Sequence, residues 1–280
     1  MTTLAKRIIP RALFFKLVCW RDKLKAYVMG RPYRKGSKFA AEWQPSELLS
    51  DGQFSERSTS NASNPLWDYF EANTEGPGIW KWKHYFEIYH RHLGRFIGKK
   101  VDMLEIGIFS GGSLGMWKSY FGSGCHIYGV DIEEACKAYE SDSVSVYIGD
   151  QEDSVFWDKF ISEVPHIDVL IDDGGHTPEQ QMVTLEKMLP RIRPGGVYIC
   201  EDVHAINHRF AAYAAGLVSE LNAMDYSRPG IEDNVKTSTF QSECHSIHFY
   251  PFSVVIEKHA EAQHELPNLR RGTQWQPFYE

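Results

Sequence analysis

Val101-Asp102-Met103-Leu104-Glu105-Ile106-Gly107-Ile108-Phe109-Ser110-Gly111-Gly112-Ser113 decides the fold class. A short apolar run, Val101–Ile106, reads as a strand that stops at Gly107. A Gly-rich turn follows, where the backbone can approach a ligand closely. The next stretch, Gly112–Tyr120, reads as a helix. The spacing is GxxxGG, which fits neither the dinucleotide pattern GxGxxG nor the phosphate loop GxxxxGK[ST].

The same alternation continues downstream. His126–Val130, Val144–Ile148, Ile167–Ile171 and Val197–Cys200 are short apolar runs that end at Asp131, Gly149-Asp150, Asp172-Asp173 and Glu201-Asp202. Between them, Val155–Val164 and Pro178–Leu189 read as helices, and Ala211–Leu221 follows as another. Ser246–Tyr250 and Ser253–Lys258, separated by Pro251-Phe252, read as a terminal antiparallel pair. Strands alternating with helices predict an α/β fold with a doubly wound, mostly parallel, Rossmann-like sheet. Upstream, residues 80–97 carry Trp82, Tyr85, Phe86, Tyr89, Leu93 and Phe96 near helical spacing. The aromatics of 80–89 are expected in the core rather than as a sugar platform. Residues 55–65 read as loop or lid. The expected organisation is a basic arm and lid region over 1–79, the α/β domain over 80–258 and a tail over 259–280.

The composition of this 280-residue chain is 42% hydrophobic and 24% charged, which excludes a wholly disordered chain. No run of 18 apolar residues occurs, so no transmembrane helix is expected. The net charge of −7 hides an asymmetry. Residues 1–38 hold eleven Lys and Arg against one acid, Asp22, for +10; the remainder holds 19 bases and 36 acids, for −17. An acidic body argues against nucleic acid as a partner. The arm predicts a peripheral contact with an anionic membrane face, or a helix that packs on its own body or a second subunit. Lys16 and Arg21 interrupt its apolar stretch and no A-x-A site follows, so a secretory signal is not expected. Cys19, Cys125, Cys136, Cys200 and Cys244 form no CxxC, which reads as reduced thiols in a cytoplasmic setting.

Every acidic candidate falls at the C-terminal end of an expected parallel strand, where open α/β sheets bind ligands. Asp131, following the second strand, can accept the hydroxyls of a ribose. Asp150 and Gln151, after the third, can meet the amino edge of an adenine. Asp172-Asp173-Gly174-Gly175-His176 and Glu201-Asp202 place carboxylates on adjacent strand ends, where they would repel unless something positive sits among them. Oxygen donors suit Mg²⁺, with Ca²⁺ or Mn²⁺ as alternatives. Asp172 and Asp173 should face opposite ways, so one of them is the ligand. Histidine titrates near neutrality, and His176 suits a general base acting on a hydroxyl. His204 lies close enough in sequence to the acids to support them or touch substrate, whereas His245 and His248 read as structural.

These motifs resemble class I S-adenosylmethionine-dependent methyltransferases, and more closely the metal-dependent sugar O-methyltransferases of the mycinamicin (macrolide deoxysugar) type. The resemblance covers residues 80–258. It rests on His84-Tyr85-Phe86, the 104–113 turn, Gly129-Val130-Asp131-Ile132, Gly149-Asp150-Gln151, the Asp172–His176 run, Arg193-Pro194-Gly195-Gly196, Glu201-Asp202 and Ser246–Tyr250. Relatives carry a Gly-Thr-Asp-Lys-like stretch where this chain has Thr74-Glu75-Gly76-Pro77-Gly78-Ile79-Trp80-Lys81-Trp82-Lys83. The resemblance implies seven strands with a reversed last strand, and methyl transfer from S-adenosylmethionine to a sugar hydroxyl. It implies Mg²⁺ on Asp173, Glu201 and Asp202, with His176 and Asp173 catalytic. Glu105, Gly107, Ser113, Asp131, Asp150, Gln151 and Asp172 would surround the cofactor. The expected partner is a sugar-containing acceptor, and the chain is expected to form a homo-oligomer. Two competitors stand beside this reading: a catechol-type acceptor on the same fold, and a non-catalytic module binding a partner or membrane through residues 1–38.

Overall fold

The computed structural model describes residues 64–204, 208–223 and 234–273, with a few residues between 35 and 42. The latter are helical at 37–40 and carry an exposed Lys38–Glu42 pair at 3.7 Å. Nearly all of the basic arm expected to touch a membrane, and residues 55–63 of the expected lid, lie outside the described residues. Among the described residues no helix is long and apolar enough to cross a membrane.

The sequence alternation becomes a seven-stranded sheet. Its strands are β1 (Val101–Ile106), β2 (Cys125–Asp131), β3 (Val144–Ile148), β4 (Ile167–Asp172), β5 (Ile192–Cys200), β7 (Cys244–Tyr250) and β8 (Ser253–Lys258). A separate pair is made by β6 (Asn234–Lys236), inside the expected 80–258 domain, and β9 (Glu265–Pro267), in the stretch expected as tail. The sheet order is β3-β2-β1-β4-β5-β8-β7. The first five strands run parallel; β8 pairs antiparallel with both β5 and β7 and is the reversed last strand. Strand order switches direction between β1 and β4, and this is where a doubly wound sheet opens its ligand crevice.

Both sheet faces are covered, as a parallel sheet requires. Side chains alternate: Met103, Val169, Ile171, Val197 and Ile199 enter one core, while Leu104, Ile106, Leu170, Tyr198 and Cys200 enter the other. Helices α1 (Pro65–Ala72), α2 (Tyr85–Leu93) and α3 (Gly112–Phe121) cover the first face. Helices α4 (Ser154–Glu163), α5 (Pro178–Met188) and α6 (Arg209–Leu221) cover the second, and a short α7 (Thr239–Glu243) precedes β7.

Helix α1 occupies part of the region expected to be arm and lid. Asn64 caps it by accepting from the Leu66 and Trp67 amides, Pro65 starts it, and Leu66 is fully buried. Two aromatics break the expectation for 80–89. Tyr85, Phe86 and Tyr89 are core, each burial contributing roughly 1.5–3 kcal/mol. Trp80 and Trp82 are not core, because α2 begins only at Tyr85 and the residues before it cross the open end of the sheet. Cys125, Cys136, Cys200 and Cys244 are buried free thiols.

Candidate active site

Two backbone junctions build the crevice. At the end of β1, Gly107 has φ 87°, and a Cβ there would overlap the Asp173 carbonyl at the end of β4. Only glycine allows these strand ends to close, and the Asp173 amide donates to Ile106 O at 3.0 Å. At the start of α3, Gly112 presses on the Pro77 and Gly78 carbonyls, which a Cβ would overlap. That contact draws the segment 78–82 across the crevice.

On one side lies a cavity of about 420 Å³ at the ends of β1, β2 and β3. Gly107, Asp131, Asp150 and Gln151 line it. The exposed apolar side chains Phe109 and Ile132 line it as well. Asp131 Oδ2 accepts the Ile108 and Phe109 amides at 2.8 and 3.0 Å, so it also holds the glycine turn in shape. Gln151 is tied inward: Nε2 donates to Asp172 Oδ1 at 2.9 Å, and Oε1 accepts the Gly175 amide at 2.7 Å.

Asp172 and Asp173 do face opposite ways. Asp172 is buried between Gln151 and Tyr198, and burial pushes its carboxyl up to about 6 against the hydrogen bonds that lower it. It lines neither cavity. Glu105 is likewise internal, accepting from Ser113 Oγ and Trp117 Nε1 at 3.0 Å each, with burial raising it to about 7 against the pull of Lys81. Both residues support the crevice from beneath.

On the other side lies a cavity of about 530 Å³ that shares Gly107, Phe109 and Gly174 with the first. It holds Ser113, Asp173, His176, Glu201, Asp202 and His204. The positive group that the acids demand is Lys81. Its Nζ donates to Asp173 Oδ2 at 2.6 Å and to the two Glu201 oxygens at 3.0 and 3.1 Å. Burial pulls this ammonium down, but Glu201 and Asp173 outweigh it and hold it above its ordinary value. Glu201 is pushed up by burial and by Asp173, because one ammonium does not neutralise two carboxylates. Tyr89 also donates to Glu201 Oε1 at 2.6 Å.

The structure therefore splits the three expected metal ligands. Glu201 is engaged by Lys81 and Tyr89. Asp173, His176 and Asp202 offer ligand atoms within 4.8 Å of one another. His176 Nε2 lies 3.5 Å from Asp202 Oδ2 and 4.0 Å from Asp173 Oδ1. Asp202 is fixed from behind: Trp82 Nε1 donates to its Oδ1 at 2.9 Å, and its amide donates to Tyr85 Oη at 3.0 Å. His204 Nε2 stands 3.8 Å from the same Oδ1. Among the described residues, the non-glycines with positive φ are Phe109, His176, Asp202 and Phe252. The first three line the cavities, and Phe252 packs 5.4 Å from Trp82. Backbone strain of this kind concentrates where geometry serves function.

Sequence reasoning did not single out Lys81. Its signals were the unexplained carboxylate cluster and the stretch Thr74–Lys83, which holds Lys81 where relatives carry a Gly-Thr-Asp-Lys-like segment.

Residues 104–203 match the family model described as a methyltransferase domain. The 8-demethyl-8-alpha-L-rhamnosyl tetracenomycin-C 2'-O-methyltransferase of Streptomyces olivaceus is 29% identical over 223 residues, covering 72% of this chain and 57% of that protein. The mycinamicin VI 2''-O-methyltransferase of Micromonospora griseorubida is 36% identical over 122 residues, 41% of this chain and 30% of that protein. The chain thus spans 57% or less of these relatives. Among solved structures, the MycE methyltransferase of the mycinamycin biosynthetic pathway, in complex with Mg and SAH, superposes with a TM-score of 0.56 at 23% identity. The superposition covers 76% of this chain and 60% of that one. Residues 104–203 thus match a methyltransferase domain, the sheet around them shares its fold with the solved MycE structure, and the chain is similar in sequence to O-methyltransferases of the tetracenomycin and mycinamicin type.

Proposed function

We propose that this chain transfers a methyl group from S-adenosylmethionine to a hydroxyl of a sugar-containing acceptor, with His176 as the general base. The observation that carries this is the placement of His176 Nε2 between Asp173 and Asp202, in a cavity that opens onto the β1–β3 crevice. The tetracenomycin relative is named for a rhamnosyl-bearing substrate, which supports the acceptor class.

The donor set fits both bound groups. The first cavity offers the Asp131 and Asp150 carboxylates beside the apolar Phe109 and Ile132, a mix suited to a nucleoside. In the second, Asp173 Oδ1 and Asp202 Oδ2 face His176. A hard divalent ion commonly takes one or two carboxylates and keeps its waters. Asp173 and Asp202 would hold it, with Glu201 kept on Lys81. Bound there, S-adenosylmethionine supplies an electrophilic methyl and the divalent ion polarises the acceptor hydroxyl.

The chain's own residues then do three things. Gly107 and the 108–113 turn bring the two cavities into contact, so an acceptor in one would lie beside a methyl donor in the other. Trp82 and Tyr85 hold Asp202 fixed. His176 Nε2 takes the hydroxyl proton, a step worth roughly 10²–10⁴ in rate.

Calorimetry of S-adenosylhomocysteine, with Mg²⁺ and with EDTA, tests the cofactor, followed by turnover on a panel of glycosides and catechols. Binding in both conditions and methylation of glycosides alone are expected. Turnover should fall about 10²-fold or more in His176→Ala with cofactor affinity kept. No binding in either condition would overturn the reading.

A further inference from the structure

The segment that carries Lys81 also carries two tryptophans that the core does not use. Trp80 is 87% exposed and Trp82 49% exposed, and both line the cavity holding Asp173, His176 and Asp202. Large indoles left open at a cleft mark a binding surface more often than a solvent face.

These rings are placed by specific contacts. Trp82 is pinned by its Nε1–H to Asp202 Oδ1 at 2.9 Å, and its ring lies 5.4 Å from Phe252. Phe252, 39% exposed, meets His204 edge-on at 5.5 Å. Its positive φ of 62° is held in part by the Val203 amide, which donates to Phe252 O at 2.9 Å. The turn between β7 and β8 and the segment before α2 thus bring aromatic surface to one rim of the carboxylate cluster.

Aromatic faces beside carboxylates suit a pyranose acceptor. A pyranose has hydroxyls around its edge and C–H bonds over its face. Carboxylates accept from the hydroxyls. The negative face of an indole attracts the weakly positive C–H bonds. We propose that Trp80, Trp82 and Phe252 form the acceptor subsite and take the C–H face of a pyranose ring. This inference deepens the sugar methyltransferase reading above and rests on it. Trp82 then has two tasks, stacking on the ring and positioning Asp202 through its N–H.

The test is saturation-transfer NMR on the full chain with S-adenosylhomocysteine present. The probes are methyl α-L-rhamnopyranoside and methyl α-D-glucopyranoside, with sorbitol as a polyol that has no ring face. Irradiating aromatic protons should label the ring C–H protons of a glycoside and leave sorbitol unlabelled. Trp80→Ala and Phe252→Ala should each weaken glycoside affinity about tenfold, which is roughly 1.4 kcal/mol. Trp82→Phe should keep the labelling, since the face remains. Trp80 is so exposed that its truncation should leave the melting temperature unchanged, which separates lost binding from lost fold.

Absence of labelling in the wild type, or labelling and affinity unchanged in Trp80→Ala and Phe252→Ala, would overturn the subsite. Calorimetry on the same samples distinguishes the two levels. If S-adenosylhomocysteine binds and the glycosides ignore the aromatics, only the subsite falls. If it does not bind, the methyltransferase reading falls, whatever the glycosides do.

Discussion

Lys81 Nζ lies 3.0 and 3.1 Å from the two carboxylate oxygens of Glu201, a residue 120 positions later in the chain. The pair is buried, and Asp173 shares the ammonium at 2.6 Å. This arrangement allows Asp173 and Glu201 to end adjacent strands side by side around one ammonium. Removing the cation leaves Glu201 charged and buried, or forces it to take a proton.

Lys81→Met should therefore cost about 3–5 kcal/mol, the range for breaking a buried pair by deleting one partner. Adding Glu201→Gln should restore a large part of that loss, because the amide carries no charge to strand. Urea unfolding of the two single variants and the double variant measures both effects. A Lys81→Met cost under about 1 kcal/mol would contradict the pairing as the main role of this lysine.

Asp172 and Asp173 should separate cleanly. Asp173→Asn should abolish turnover, while Asp172→Asn should keep much of it, since Asp172 reaches neither cavity. Asp172 should also shape the pH dependence of stability. Burial raises the Asp172 carboxyl to about 6, above its ordinary value of 3.8. Its protonated form is therefore favoured in the folded chain, so this contribution is complete below about pH 4 and lost as pH rises through 6. Between pH 4 and 7 the wild type should lose up to about 3 kcal/mol relative to Asp172→Asn. Parallel stability curves would contradict this.

Gly107→Ala tests the strand-end junction. The methyl would overlap the Asp173 carbonyl, and φ 87° strains any side chain there. A loss of about 2 kcal/mol or more is expected, together with weakened S-adenosylhomocysteine binding. Gly98→Ala is the control: it shares a positive φ, but nothing lies within 4 Å of its added carbon. If the two variants bind the cofactor alike, close approach is not what Gly107 provides.

Glu257 should shape the acid limb of stability. The hydrogen bond with His92 at 2.6 Å, joined by Arg95 at 3.1 Å, holds its carboxyl down near 2. A depressed carboxyl stabilises the fold above its unfolded value near 4.5, and that contribution disappears as pH falls toward 2. The difference between wild type and Glu257→Gln should thus shrink from pH 5 to pH 2. A constant difference would assign its effect to packing.

Much of the fold is legible in local sequence. The largely apolar runs 101–106, 144–148 and 167–171, each ended by glycine or an acid, mark strands, because a parallel sheet covered on both faces favours apolar residues along its strands. The alternation rule separated Asp172 from Asp173, and the strand-end acids located the crevice. Helix α1 escaped notice because its eight residues are too short for a clear period. Helical spacing groups Trp82 with the core aromatics but cannot say where the helix begins; α2 starts at Tyr85 only after the chain, with Trp80 and Trp82, has crossed the sheet end.

The tertiary structure alone decided which cation meets the acids. Sequence set the charge problem at Asp173, Glu201 and Asp202. Its solution, Lys81, lies 92 and 120 residues away. Periodicity reports which side of an element a residue occupies. It carries no information about what another element brings opposite, and electrostatic pairing acts through space between just those elements.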